Sequence, residues 1–252
     1  MNVRIERRFH GPEHSGNGGY TCGVAAQAVA GPAEGRLLRP PPRERPLELR
    51  TTADGVELLD GEVLVARARR AEPSGELPSA ISYDEAVRAA EEFDSTAYEK
   101  QHPFPGCFTC GPARHDGDGL RLFPGRTARE RVIAWPWTPD ESVRGPRSAV
   151  DPLFVWAALD CPSGLSWYHD TTHRAGPHVL GQLTTRLERL PEIGEPTVVA
   201  GWLTSADGRK RYAGSAIWSA DGELLAHADA TWVRLTEEQW EQFRRGPVTA
   251  GA

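Results

Sequence analysis

Apolar and polar residues alternate along two separate stretches of the chain, broken by Asp-Gly dipeptides. This is the pattern of half-buried antiparallel strands rather than of helices. In the first stretch, Pro46 to Ala68, Leu47 and Leu49 alternate with polar residues, Asp54-Gly55 turns, and Val56 and Leu58 resume. Asp60-Gly61 turns again, and Val63, Val65 and Ala66 continue. The stretch predicts a β-meander with tight turns. The second runs from Val179 to Leu235, where Val198 to Thr204, Tyr212 to Trp218 and Leu224 to Val233 read as strands separated by Asp207-Gly208 and Asp221-Gly222. One plan is written twice.

Each strand-rich region follows a short, mostly apolar segment that reads as a helix. Tyr20 to Val29 is opened by Ser15-Gly16-Asn17-Gly18-Gly19 and closed by Gly31-Pro32, which fits helix start and stop signals. Pro152 to Asp160 has Asp151 as its N-cap and proline at the first helical position, where a missing N–H costs nothing. Pro162 and Gly164 are expected to end it. The two copies predict an α+β chain in which antiparallel strands wrap around a central helix in each half. Between them, Ser82 to Phe93 predicts a surface helix, with Ser82 and Glu85 as a capping box and Val87, Ala90 and Phe93 as apolar positions. Arg39-Pro40-Pro41-Pro42 cannot form a central strand, because proline donates no ladder hydrogen bond. Thr236 and Gln239 form a second capping box before a terminal helix and a frayed tail. The expected boundaries are 1–80 for the first half, 81–100 for the linker helix, 101–236 for the second half and 237–252 for the terminal helix and tail.

A length of 252 residues accommodates two halves of ordinary size, and 39% hydrophobic with 25% charged residues is normal for a globular protein. The load of Ala, Arg, Gly and Pro beside a single Met fits a GC-rich bacterial gene. A net charge of −6 argues against a chain that coats nucleic acid or an anionic membrane, since both need a basic face, although a local basic patch stays open. No stretch approaches the roughly 18 apolar residues of a membrane span. MNVRIERRFHGPE has no signal-peptide core behind its arginines, so a cytoplasmic protein is expected. Cys22, Cys107, Cys110 and Cys161 are too few and too irregularly spaced for a secreted disulfide scaffold. They read as reduced thiols or, for one pair, as metal ligands.

His102 to Gly125, HPFPGCFTCGPARHDGDGLRLFPG, resembles the CFxCG…GL segment that opens many hotdog proteins related to the phenylacetate-pathway thioesterases. Val155 to Ser163, VWAALDCPS, falls where that superfamily carries its central helix and acidic residue. FHGPEHSGNGGYTCG followed by LLRPPP is similar to the N-terminal repeat of double-hotdog acyl-CoA thioesterases. The resemblance spans most of residues 1–235. It implies a tandem (double) hotdog fold and hydrolysis of an acyl-CoA thioester, with coenzyme A entering as part of the substrate and no separate cofactor. A homo-oligomer without nucleic-acid or membrane partners is expected. The commonest motif of the clan has His-Gly-Gly before the helix and an acid about two turns later. Here the first half has Asn17-Gly18-Gly19 with Gln27 near the acid position, and the second has Asp160 without the glycines. Either the halves compose one site across their interface, or the activity has been lost.

Thioester hydrolysis needs a carboxylate to deprotonate water and N–H donors aimed at the developing oxyanion. Asp160, in the apolar run LFVWAALDC, is the candidate base, since desolvation raises a carboxyl pKa; the alternative is a turn cap. Asn17, Gly18 and Gly19 precede a helix whose free N–H groups suit an oxyanion, or they form an ordinary turn. Gln27 either orients the water or satisfies a core hydrogen bond. Asp151 is chiefly an N-cap, with Pro152 and Leu153 as the second half's equivalent of the oxyanion turn. Ser163 and Ser166 have no Gly-x-Ser-x-Gly elbow around them, which excludes a serine-hydrolase triad. Arg209 and Lys210, with Arg211, either bind CoA phosphates or blunt a hairpin edge. Cys107 and Cys110, flanked by His102 and His115, are a single CxxC, read as a tight loop packed under Phe104 and Phe108 with no metal. The tryptophans read as core. Rival functions are a non-catalytic acyl-CoA or lipid-binding module and a hydratase or dehydratase built on His169, His173 or His178.

Overall fold

The computed structural model describes residues 1–170 and 176–245. The first half contributes β1 (Asn2–Arg4), α1 (Gly18–Ala26), β2 (Ala33–Leu37), β3 (Pro46–Thr52), β4 (Gly55–Asp60) and β5 (Val63–Arg70). Two helices follow, α2 (Tyr83–Glu91) and α3 (Ser95–Gln101). The second half contributes β6 (Val132–Trp137), α4 (Pro152–Leu165), β7 (His178–Leu187), β8 (Thr197–Asp207), β9 (Lys210–Ser219) and β10 (Leu224–Arg234), before the terminal helix α5 (Glu237–Arg245).

All of these strands join one antiparallel sheet in the order β1-β3-β4-β5-β2-β7-β10-β9-β8-β6. Each half therefore places its first, third, fourth, fifth and second strands in succession, and the two arrays meet head-on as mirror-ordered copies. The seam is β2 on β7, with Ala33 opposite Thr185 and Gly35 opposite Leu183. The expected meanders are present, with two-residue turns between Thr52 and Gly55 and between Asp60 and Val63. Gly55 has φ +141°, and a Cβ there would lie 2.1 Å from the Ala68 carbonyl oxygen, so the turn admits no side chain. Helices α1 and α4 lie against the same sheet and against each other. Their apolar surfaces merge into one core with Leu47, Leu58, Leu183, Val199 and Ile217. This is the tandem hotdog.

The segment between the halves is more than a surface linker. Ser82 caps α2 by accepting from the Glu85 N–H at 3.2 Å, as its sequence predicts. Ala86 and Ala89 are nonetheless buried, because the helix packs across β6 and β8. It covers residues such as Val198, Ala200 and Ala216 in a second cluster, while their β8 neighbours Val199 and Leu203 face the main core, as strand alternation requires. Phe93 stacks on Phe123 and meets Trp135 edge-on.

The largest departure from expectation is α4, which runs through Pro162 and Gly164 to Leu165. Proline removes one helical N–H, but hydroxyls bond carbonyls of the preceding turn. Thr109 Oγ1 donates to Ala157 O, Ser215 Oγ to Leu159 O and Ser163 Oγ to Asp160 O. Gly164 stays inside the helix because the Trp232 ring packs where its Cβ would be, 2.4 Å from Cζ2. At the other end of the chain, Thr236 and Gln239 form a complete reciprocal capping box for α5. The expected tail, 246–252, lies outside the described residues. Among the described residues no helix is long and apolar enough to cross a membrane.

Candidate functional site

The two central helices approach closely because α1 carries glycine at both Gly19 and Gly23, one turn apart on one face. A Cβ on Gly19 would lie 2.4 Å from Trp156 O and 2.5 Å from Asp160 Cβ, and one on Gly23 would meet the Trp156 side chain at 2.9 Å. This contact brings together the incomplete motifs of the two halves. Asn17 caps α1, its Oδ1 accepting from the Tyr20 N–H at 2.9 Å. From α4, Asp160 Oδ2 accepts from the Gly19 N–H at 2.8 Å. The carboxylate of one half thus sits on the helix N-terminus of the other, where the positive end of the dipole favours it.

Asp160 is 2% exposed, and its Oδ1 has no hydrogen-bond partner among the described residues. Burial, the largest effect, pushes its pKa from 3.8 up to about 7; the Gly19 N–H and the nearby Asn17 amide oppose the rise and Cys107 adds to it. An acid so placed has the protonation range of a general base. It also fills the position that an oxyanion would take at Gly19.

The mirror position in the second half is closed. Asp151 caps α4 by accepting from the Leu153 N–H at 2.9 Å, Pro152 has no N–H, and the Phe154 N–H is bonded to the Asp151 carbonyl. Leu153 and its turn therefore have no equivalent of the Gly19 donor. Gln27 is not a partner of the site: it is the exposed C-cap of α1, at the opposite end of the helix from Gly19. Counting from the caps (17 + 9 = 26, 151 + 9 = 160), the residue that matches Asp160 is Ala26, which has nothing to orient water with.

Aromatic rings fill the space around the N-termini of the two helices. Phe9 stacks on Tyr20 at 4.5 Å and packs against Phe108 and Phe154 at 5.2 and 5.4 Å. Arg8 lies over Phe9 and Phe108, 5.5 Å from each centroid. Ser163 and Ser166 are structural: Ser163 Oγ also accepts from Trp232 Nε1 at 2.9 Å, and Ser166 Oγ donates to Ser163 O at 2.7 Å. His169 Nε2 lies 2.7 Å from the Pro124 carbonyl, and His178 Nδ1 3.0 Å from that of Gly176. His173 lies outside the described residues. Arg209 lies in the exposed β8–β9 turn, where it donates to Gln239 Oε1 at 2.9 Å, and Lys210 opens β9, also exposed. Ser215, which touches Leu159 O, is five residues from Lys210, about 17 Å along the strand. Most of the tryptophans are core, with Trp137, Trp156, Trp167 and Trp218 buried.

The sequence offers Cys107 and Cys110 as a single CxxC flanked by His102 and His115. The fold adds Cys161, from α4, whose Sγ lies 3.6 Å from that of Cys107. His102 Nε2 lies 3.3 Å from Cys110 Sγ. The available signal was the His-x4-Cys-x2-Cys spacing together with a third cysteine directly after the candidate acid.

No family model and no curated protein sequence matches the chain. Solved structures do. A protein of hot dog fold from Alicyclobacillus acidocaldarius is 12% identical, covers 93% of this chain and 92% of its own, and superposes with a TM-score of 0.59. A protein assigned as a thioesterase II from Thermobifida fusca is 15% identical over 93% and 92%, at a TM-score of 0.55. The tesB protein of Mycobacterium avium subspecies paratuberculosis is 12% identical over 86% and 85%, at 0.52. At such identities the likeness speaks for the architecture alone, and what it shows is that the hotdog fold extends over both halves of the chain.

Proposed function

We propose that the protein hydrolyses an acyl thioester, with acyl-CoA as the substrate class. The observation that carries this reading is the Asp160 carboxylate set against the Gly19 N–H across the two halves, which joins a base and an oxyanion donor in one place. In the reaction Asp160 takes the proton of the attacking water. The Gly19 N–H, released by the carboxylate as substrate enters, donates to the oxyanion of the tetrahedral intermediate, and the thiolate of coenzyme A leaves. Asn17 and Gly18 hold the turn that aims this donor, and Lys210 with Arg209 supplies cations for the phosphates of the thioester. The thioesterase name carried by the Thermobifida fusca protein supports the class.

A second reading, a non-catalytic acyl-CoA-binding module, is favoured by the burial of Asp160. Initial rates over a panel of acyl-CoA esters separate the two. Turnover on part of the panel, falling by about 10² to 10⁴ in kcat for Asp160→Asn with KM little changed, is the result expected of a general base. Zero turnover on every ester, with binding retained, establishes the module.

A further inference from the structure

We propose that Cys107, Cys110, Cys161 and His102 bind one zinc ion in a closed structural site. The proposal stands apart from hydrolysis, since it concerns what locks the loop 102–111 to α4.

The three Sγ atoms lie within 4.8 Å of one another and are buried. In a tetrahedral zinc site with Zn–S near 2.3 Å and Zn–N near 2.0 Å, neighbouring sulfurs are about 3.8 Å apart and a sulfur and a nitrogen about 3.5 Å. The Cys107–Cys161 separation of 3.6 Å and the Cys110–His102 separation of 3.3 Å fall close to these. They are far from the ~2.05 Å of a disulfide, and three thiols cannot all pair with one another.

The loop is shaped for ligation. Gly111, directly after Cys110, has Pro105 O 2.4 Å and Cys107 N 2.5 Å from where a Cβ would be, so the chain folds back tightly on the CxxC. The Gly111 N–H donates to Cys107 O at 2.8 Å. Asn17 Nδ2 approaches Cys107 Sγ at 3.9 Å, a supporting contact of the kind that tunes thiolate ligands. Phe104 and Leu165 pack over the sulfurs, and Trp240 and Phe243 of α5 close on Phe104. Buried cysteines are common as packing residues; here three of them converge, and His102 Nε2 lies beside one, Cys110, at the edge of the cluster.

One local cost is visible. His102 Nδ1 accepts from the Phe104 N–H at 3.0 Å, and ligation through Nε2 puts the ring proton on Nδ1 and gives up that bond. One backbone hydrogen bond contributes far less than a structural zinc contributes to folding, so ligation wins. Three thiolates and one imidazole select zinc among common divalent ions. With four protein ligands no coordination position remains for a substrate.

The test uses the full chain purified under reducing conditions. Elemental analysis should find one zinc per chain, and the zinc-stripped protein titrated with Co²⁺ alone should develop the intense visible bands of tetrahedral cobalt and near-ultraviolet thiolate charge transfer, saturating at one equivalent. Cys161→Ser should abolish stoichiometric metal, and His102→Cys should retain it with a shifted cobalt spectrum. Absence of both zinc in the isolated protein and cobalt bands on titration overturns the site. A cobalt spectrum unchanged in His102→Cys overturns the four-residue assignment. If Cys161→Ser fails to fold, the wild-type and His102→Cys spectra decide alone. None of these readouts depends on hydrolysis.

Discussion

Replacing Gly19 with alanine adds one methyl group at the closest point between α1 and α4. Its carbon would lie 2.4 Å from Trp156 O and 2.5 Å from Asp160 Cβ, against an ordinary contact of 3.4 Å or more. The shortfall, 3.4 − 2.4 = 1.0 Å, has to come from parting two helices, since the first obstacle is backbone. A radial gap of about 0.5–1 Å forfeits a quarter to a half of each dispersion contact across it. Overpacking of this kind costs about 3 kcal/mol, and the better helix propensity of alanine returns about 1 kcal/mol. The expected net loss is about 2 kcal/mol. Gly23→Ala is the milder comparison, because its nearest obstacles, Trp156 Cγ and Cβ at 2.9 and 3.0 Å, leave a smaller shortfall. Urea unfolding followed by tryptophan fluorescence measures both. The same displacement pulls the Gly19 N–H away from Asp160, so on the hydrolase reading activity falls as well. Equal midpoints for Gly19→Ala and Gly23→Ala, or a Gly19 variant as stable as wild type, would refute the close-contact argument.

Other outcomes follow from single contacts. His178, buried and edge-on to Trp167, has its pKa lowered from 6.5 to about 4. The unfolded chain therefore binds the extra proton between those values, and stability falls as pH drops through that window. His178→Phe should flatten this acid limb in midpoints measured from pH 7 to 4, and parallel limbs would argue against it. Ser163→Ala leaves the buried Trp232 Nε1–H without its acceptor, for an expected loss of about 1–3 kcal/mol; a shift in urea midpoint no larger than that of Ser166→Ala would count against this. Thr236→Ala removes half of the α5 capping box, worth about 1 kcal/mol locally. Hydrogen exchange should quicken over 237–245 while global unfolding is unchanged.

β3 to β5 were legible because buried and exposed positions alternate along them, and β8 to β10 because Asp-Gly turns bound their apolar runs, although β8 and β9 are covered on both faces. β2 and β6 were not. β2 has five residues and lies mid-sheet at the seam, so no long alternation develops. β6 contains Pro136, tolerated because the strand is at the edge of the sheet. The length of α4 was hidden because hydroxyls from β9 and the cysteine loop, distant in sequence, sustain the helix around Pro162. In the site, Asn17-Gly18-Gly19 and Asp160 could be read as halves of one motif. That they touch depends on the helix crossing, which no local pattern encodes. Gln27 was misplaced by one residue, enough to move it from the matching position to the exposed cap. Cys161 lay 51 residues from Cys110 (161 − 110), beyond the reach of spacing rules for a single metal-binding loop.

On the hydrolase reading, the plugging of the α4 N-terminus by Asp151 and Pro152 leaves one oxyanion donor site per chain. A duplicated architecture invites the expectation of paired, equivalent binding places, but here the Gly19 N–H faces Asp160 of the opposite half while the Leu153 N–H is taken by its own cap, Asp151. A thioester analogue titrated into the protein should accordingly saturate at one molecule per chain, with a simple hyperbolic isotherm. Any cooperativity has to arise between chains, never between the twin halves of one.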